Sequence, residues 1–118
     1  MPKPEPVDHG AIFDVTELDQ EVRAEATFER NGYAARTLVR TADLRIVFIA
    51  MSEGSHIKEH EASETASIHV VKGHVRVGLA DRAADLREGQ LLVLDSGLRH
   101  DVEAAADSAF LLTLGWSK

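Results

Sequence analysis

The sequence contains no cysteine. That excludes a disulfide framework, a thiolate zinc site and a cysteine nucleophile, and it suits a reducing compartment. Proline is nearly absent too: all three residues, Pro2, Pro4 and Pro6, fall in the first six positions. Those positions read as an extended arm with no apolar stretch of the kind a secretory signal needs. The longest apolar run, Ile46 to Met51, is far too short to span a membrane. Basic residues are few relative to acidic ones, 13 against 20, for a net charge of −7. A surface of that sign repels phosphate backbones and anionic lipid, so neither nucleic acid nor a membrane is an expected partner. The expected location is the cytoplasm.

What is present is enough for one domain. The chain has 118 residues, 44% of them hydrophobic. Val15 to Ala24 is the one segment that fits a helix, with Thr16 as cap and Asp19 as a weak capping-box partner, and the pattern is as compatible with its absence. After the turn signal Asn31-Gly32 the pattern changes to short runs of β-branched and aliphatic residues divided by turns. Leu44 to Met51 is apolar on both faces, as in a strand covered on both sides. Ser67 to Val71 and His74 to Leu79 flank Lys72-Gly73 and read as a tight hairpin. Leu91 to Leu94 and Ala109 to Leu114 complete the set. This spacing, without long helical patterns, predicts an all-β sandwich or barrel. The expected organisation is an arm with its short helix over residues 1–30 and a barrel over 31–118.

Histidine is the residue type most suited to metal ligation or proton transfer near neutral pH. Six are present: His9, His56, His60, His69, His74 and His100. His9 lies in the arm, and His74, after Gly73, reads as a solvated side chain. For each of the others, on composition alone, an ordinary surface or hydrogen-bonded histidine is a commoner role than a ligand. No H-E-x-x-H pattern, Gly-x-Ser-x-Gly elbow or phosphate-binding glycine loop occurs.

Two segments resemble the cupin family. The first is Gly54-Ser-His-Ile-Lys-Glu-His-Glu-Ala-Ser-Glu-Thr-Ala-Ser-Ile-His-Val-Val-Lys-Gly73. Counted back from Gly73, the family's glutamate position falls on Ala66 and its two histidine positions on His60 and Ala62. The second is Gly89-Gln-Leu-Leu-Val-Leu-Asp-Ser-Gly-Leu-Arg-His100, in which Gly89, Gly97 and His100 match in register while Asp95 replaces the proline. Ala104 replaces a later asparagine of the same motif. The resemblance implies an all-β, double-stranded β-helix (jelly-roll) barrel, a homodimer, and a metal site reduced to His60 and His100. By parity, Glu64 and His56 are the residues best placed to repair it. Two imidazoles alone fall short of the three protein ligands of a catalytic zinc site. One divalent transition metal (Fe, Ni, Zn, Mn or Cu) and a metal-free pocket are therefore both open. Space left at Ala62 and Ala66, with Ile68 and Phe110 as further lining, suits a small organic ligand. The expected function is small-molecule binding, and the alternative is a metal-dependent dioxygenase, isomerase or decarboxylase acting on a small polar compound. The apolar outer face of Leu44 to Met51 calls for a cover, which a homodimer would supply.

Overall fold

The computed structural model describes residues 10–61 and 63–115, and the side chains of all of these except residues 59–61. The helix expected at Val15 is present as α1 (Val15–Arg23). Its cap is Asp14, not Thr16: the Asp14 carboxylate accepts the backbone N–H groups of Thr16 and Glu17 at 2.9 and 3.1 Å. An aspartate here satisfies two orphan donors and sits favourably at the positive end of the helix. Leu18 and Val22, four residues apart, form the buried stripe. A second short helix, α2 (Ala26–Asn31), goes beyond the sequence expectation. It ends at Gly32 in the left-handed conformation, so Asn31-Gly32 is a helix stop leading into the first strand.

Among the described residues nine strands follow: β1 (Tyr33–Arg40), β2 (Leu44–Met51), β3 (His56–Glu61), β4 (Ala66–Lys72), β5 (His74–Gly78), β6 (Ala83–Arg87), β7 (Leu91–Leu94), β8 (Arg99–Ala104) and β9 (Ser108–Gly115). They form a five-stranded sheet in the order β1-β2-β9-β4-β7 and a four-stranded sheet in the order β3-β8-β5-β6. The inner faces of the two sheets share one core, which includes Val47, Ile49, Met51, Ile68, Val70 and Phe110 from the first and Val75, Val77 and Val102 from the second. The alternation along β4 is regular: Ala66, Ile68 and Val70 are buried, and the residues between them are half-buried.

β2 is buried on both faces. Val47, Ile49 and Met51 enter the inter-sheet core, while Phe48 and Ala50 pack beneath Leu18 and Val22. The cover that the apolar outer face demands comes from within the chain. Arg23 fastens it: the guanidinium donates to the Ser108 carbonyl at 2.8 Å, pairs with Asp19 at 2.8 Å and lies 5.2 Å from the Phe28 ring centre. Arg36 of β1 grips the other side, bonding Glu21 and Glu25 at 2.6 and 2.7 Å. These two hydrogen-bonded carboxylates hold the Arg36 guanidinium above its ordinary pKa. Among the described residues no helix is long and apolar enough to cross a membrane.

The Lys72-Gly73 hairpin does not form. β4 pairs with β7 and β9, whereas β5 pairs with β6 and β8, so the chain changes sheets at Gly73. Gly73 has φ +85°, and a Cβ there would collide with the Asp107 carbonyl and lie 2.9 Å from the Ser108 Cα. Beyond this corner His74 is not simply solvated. It bonds Asp85 across the β5–β6 pair at 3.0 Å, and Arg76 bonds the same carboxylate oxygen at 3.1 Å. The hydrogen bonds from His74 first, and then from Arg76, hold the Asp85 carboxyl below its ordinary pKa.

Two predictions follow from these contacts. Gly89 also has positive φ, +88°, but its Cβ position is open. Gly89→Ala should therefore cost only the conformational term of about 1 kcal/mol, and Gly73→Ala distinctly more, in equilibrium urea denaturation. Equal losses would show that the Gly73 corner is not tightly packed. A depressed native pKa means that Asp85 stabilises the fold above the unfolded-state value of about 3.9. That contribution disappears as pH falls through the native value. The difference in thermal midpoint between wild type and Asp85→Asn should accordingly be present at pH 5 to 7 and close below about pH 3.9.

Candidate functional site

The two edges β1 and β3 do not close against each other, and a cleft of about 780 Å³ opens between the sheets. One wall belongs to the five-stranded sheet, with Tyr33, Ile49, Ile68, Phe110 and Leu112. The other belongs to β3 and β8, with Ile57 and Val102 as its apolar part and His56, Lys58 and His100 as its polar part. The walls are apolar because both are inner faces of strands whose alternate residues form the core.

β8 places His100 on the inner face with Val102 and Ala104, and all three are 2% exposed. The His100 Nδ1 lies 3.1 Å from the Leu98 carbonyl oxygen. A carbonyl only accepts, so Nδ1 carries the proton, and in the neutral ring the lone pair sits on Nε2. Backbone carbonyls commonly orient metal-binding and ligand-binding imidazoles in this way.

On β3 the register is decisive. Ile57 stands opposite Val102 and His60 opposite His100, so three steps along β3 match two along β8. The extra residue is a β-bulge, which changes the phase of the strand. It removes the parity relation between His56 and His60 on which His56 depended as a repair ligand. His56 stands opposite exposed Glu103. Its Nε2–H donates to Asp101 at 2.7 Å, and both side chains are substantially exposed, 47% and 35%. The Asp101 carboxylate lies over Gly78, where a Cβ would collide with it.

The remaining expected site residues separate. Ile68 and Phe110 line the cleft. Ala66, 2% exposed, is packed in the core and contributes no donor atom. The Glu64 carboxylate is hydrogen-bonded by its neighbour Ser63. His69 is half-buried on the other phase of β4. Ala62, with His9 and Trp116, lies outside the described residues. Tyr33 and Lys58 line the cleft without having been singled out by the sequence; both lie outside the parts of the motifs that carry ligands.

The ligand set of a full cupin metal site does not fit. The glutamate position is Ala66, Glu64 and His56 are engaged with Ser63 and Asp101, and among the described residues no three His, Asp or Glu side chains cluster as a metal site would require. Of the motif's ligand positions, His100 and its register partner His60 keep their histidines.

No protein-family model matches this chain, and no curated protein does. Solved structures do. A Streptococcus pyogenes protein of unknown function aligns over 100% of this chain and 97% of its own, at 24% identity and a TM-score of 0.76. A cupin superfamily protein from Desulfitobacterium hafniense aligns over 98% and 97%, at 15% identity and a TM-score of 0.75. This chain has the cupin fold. The cupin barrel also brings it close to a much longer enzyme. Salicylate 1,2-dioxygenase from Pseudoaminobacter salicylatoxidans, in a structure of its adducts with gentisate, aligns over 86% of this chain and 32% of its own, at 15% identity and a TM-score of 0.78.

Proposed function

We propose that this cupin-fold chain binds a small organic ligand in the cleft between its two sheets. The observation that carries the proposal is the cleft itself, about 780 Å³, with one apolar wall and a second on which apolar side chains stand beside His56, Lys58 and the buried His100. Ligand sites of soluble proteins are of this size and character: mostly apolar lining with a few polar groups that fix orientation. Ile68, Phe110 and Leu112 supply a surface for an apolar or aromatic body. His100, oriented by the Leu98 carbonyl, places an imidazole on the polar part of the wall. Salicylate 1,2-dioxygenase, which shares the fold over 32% of its own chain, is a protein whose structure is described with gentisate adducts.

A second reading is a metal-dependent enzyme of dioxygenase, isomerase or decarboxylase type. It is favoured by one observation, the register that sets His60 opposite His100. A bound divalent transition metal would supply Lewis-acid or redox chemistry, held by those two histidines and completed by groups from outside the described set.

Two experiments separate the readings. Wild-type protein screened against small organic acids, amides, alcohols and amines by ligand-observed NMR should show binders. Leu112→Trp, which fills the cleft, should weaken them at least tenfold while the protein stays folded by circular dichroism. An absence of binders, or undiminished binding by Leu112→Trp, defeats the binding reading. Elemental mass spectrometry of untagged protein should find about one metal per chain, lost in His60→Ala/His100→Ala, if the metalloenzyme reading holds. An empty wild type, after reconstitution with iron, nickel, zinc, manganese or copper, retires it.

A further inference from the structure

Arg45 is a cation on the wrong side of its strand. Along β2 the residues in its phase are Val47, Ile49 and Met51, all buried in the inter-sheet core. Its Nε is buried with no hydrogen-bond partner, and none of the described ion pairs includes it. Other arginines of this chain are used: Arg23 and Arg36 each hold carboxylates, and Arg76 bonds Asp85. Arg45 itself is half-buried, but a buried Nε–H with no acceptor carries a desolvation cost, and such an orphan donor asks for a partner.

The register locates it. Arg45 stands opposite Leu114, Leu114 opposite Ala66 and Ala66 opposite Leu94, so these four form one row across the five-stranded sheet. The next inward row is Val47, Leu112 and Ile68, about 7 Å along the strands, and Leu112 and Ile68 line the cleft. The chain passes from β3 to β4 through residues 62–65 and from β7 to β8 through 95–98, so the His60–His100 pair lies at the same end of the barrel as this row. Arg45 and Ala66 are two strands apart, about 10 Å between backbones, a gap that an arginine side chain largely spans. At the end of the barrel where the cupin resemblance calls for a carboxylate that holds a metal cation, this chain has an alanine and an arginine whose buried Nε lacks a partner.

We infer that Arg45, one row beyond the Leu112 and Ile68 lining of the cleft and not itself part of that lining, is its anion-recognition residue, and that the ligand class is a small apolar monocarboxylic acid. The carboxylate pairs with the guanidinium and the apolar body lies along Leu112, Ile68 and Phe110. A planar guanidinium matches a carboxylate by two parallel hydrogen bonds, which an ammonium does not reproduce. The inference rests on the binding reading above and adds to it the sign of the ligand's charge.

Matched acid and amide pairs test it: benzoate with benzamide, and 4-methylpentanoate with 4-methylpentanamide, titrated by calorimetry into wild type, Arg45→Met and Arg45→Lys. In at least one pair the acid should bind wild type ten or more times tighter than the amide. Arg45→Met should reduce the acid to the level of the amide and leave the amide unchanged, and Arg45→Lys should recover only part of the preference. Because the Arg45 donor has no partner in the protein, the thermal midpoint of Arg45→Met should equal or exceed that of wild type; a large fall would assign Arg45 a structural role and overturn the inference. Amides binding as well as acids, or an acid preference that survives Arg45→Met, overturns it while ligand binding stands. The same holds if only neutral or basic compounds bind. Failure of every compound to bind wild type removes the binding reading and this inference with it.

Discussion

Burial of β2 on both faces is the constraint around which the molecule is arranged. A strand reading Leu-Arg-Ile-Val-Phe-Ile-Ala-Met has no wet side over its second half. Its inward residues require an opposing sheet, and its outward residues require a separate cover. α1 is that cover, and much of what surrounds it serves to hold the helix in place: the Leu18 and Val22 stripe, the Arg23 bridge to the β9 carbonyl of Ser108, and the Arg36 grip on Glu21 and Glu25. Phe48, fully buried, joins helix to sheet, and truncating such a side chain typically costs about 3–5 kcal/mol. The helices are therefore part of the barrel's energetics. α2 in turn delivers Asn31 and Tyr33 to the cleft, which ties the outer cover to the inner site.

Fold class was legible because it depends on periodicity and on motif spacing. The two apolar phases of Leu44–Met51 and the alternation from Ala66 to Val70 are visible in any extended chain, and both appear as burial. What was not legible depends on which strand a residue meets. A glycine after a lysine looks the same whether the chain folds back on itself or changes sheets, and at Gly73 only the distant Asp107 and Ser108 decide. The bulge between Ile57 and His60 likewise exists only relative to β8, so counting in twos along β3 assigned His56 a phase it does not keep. The choice of Asp14 over Thr16 as cap has a simpler source: both are good capping residues two positions apart. Arg45 was legible in principle, since a lone charge in phase with Val47, Ile49 and Met51 is an anomaly of the pattern itself.

The cleft has a division of labour between its walls. The five-stranded sheet gives shape, through aliphatic and aromatic side chains fixed by the core behind them. The edge pair β3 and β8 gives chemistry, through His100, oriented by the Leu98 carbonyl, and through the His56–Asp101 pair at the rim. Rigid support on one side and polar groups near an open edge on the other leave the cleft accessible without any opening of the core.

The pairing of β2 with β9 also governs how the molecule comes to be folded. The two strands are separated by more than fifty residues, and β9 lies between β2 and β4 in the sheet. Until β9 is available, the most apolar strand of the chain has a hydrogen-bonding edge unfilled. Joining two segments that far apart is slow relative to local pairing, and an exposed apolar edge in the interval invites association with other chains. Early shelter for β2 can come only from its neighbours in sequence, α1 and β1, which pack on it and pair with it through short-range contacts. The helical cover thus doubles as a chaperone for the strand it conceals.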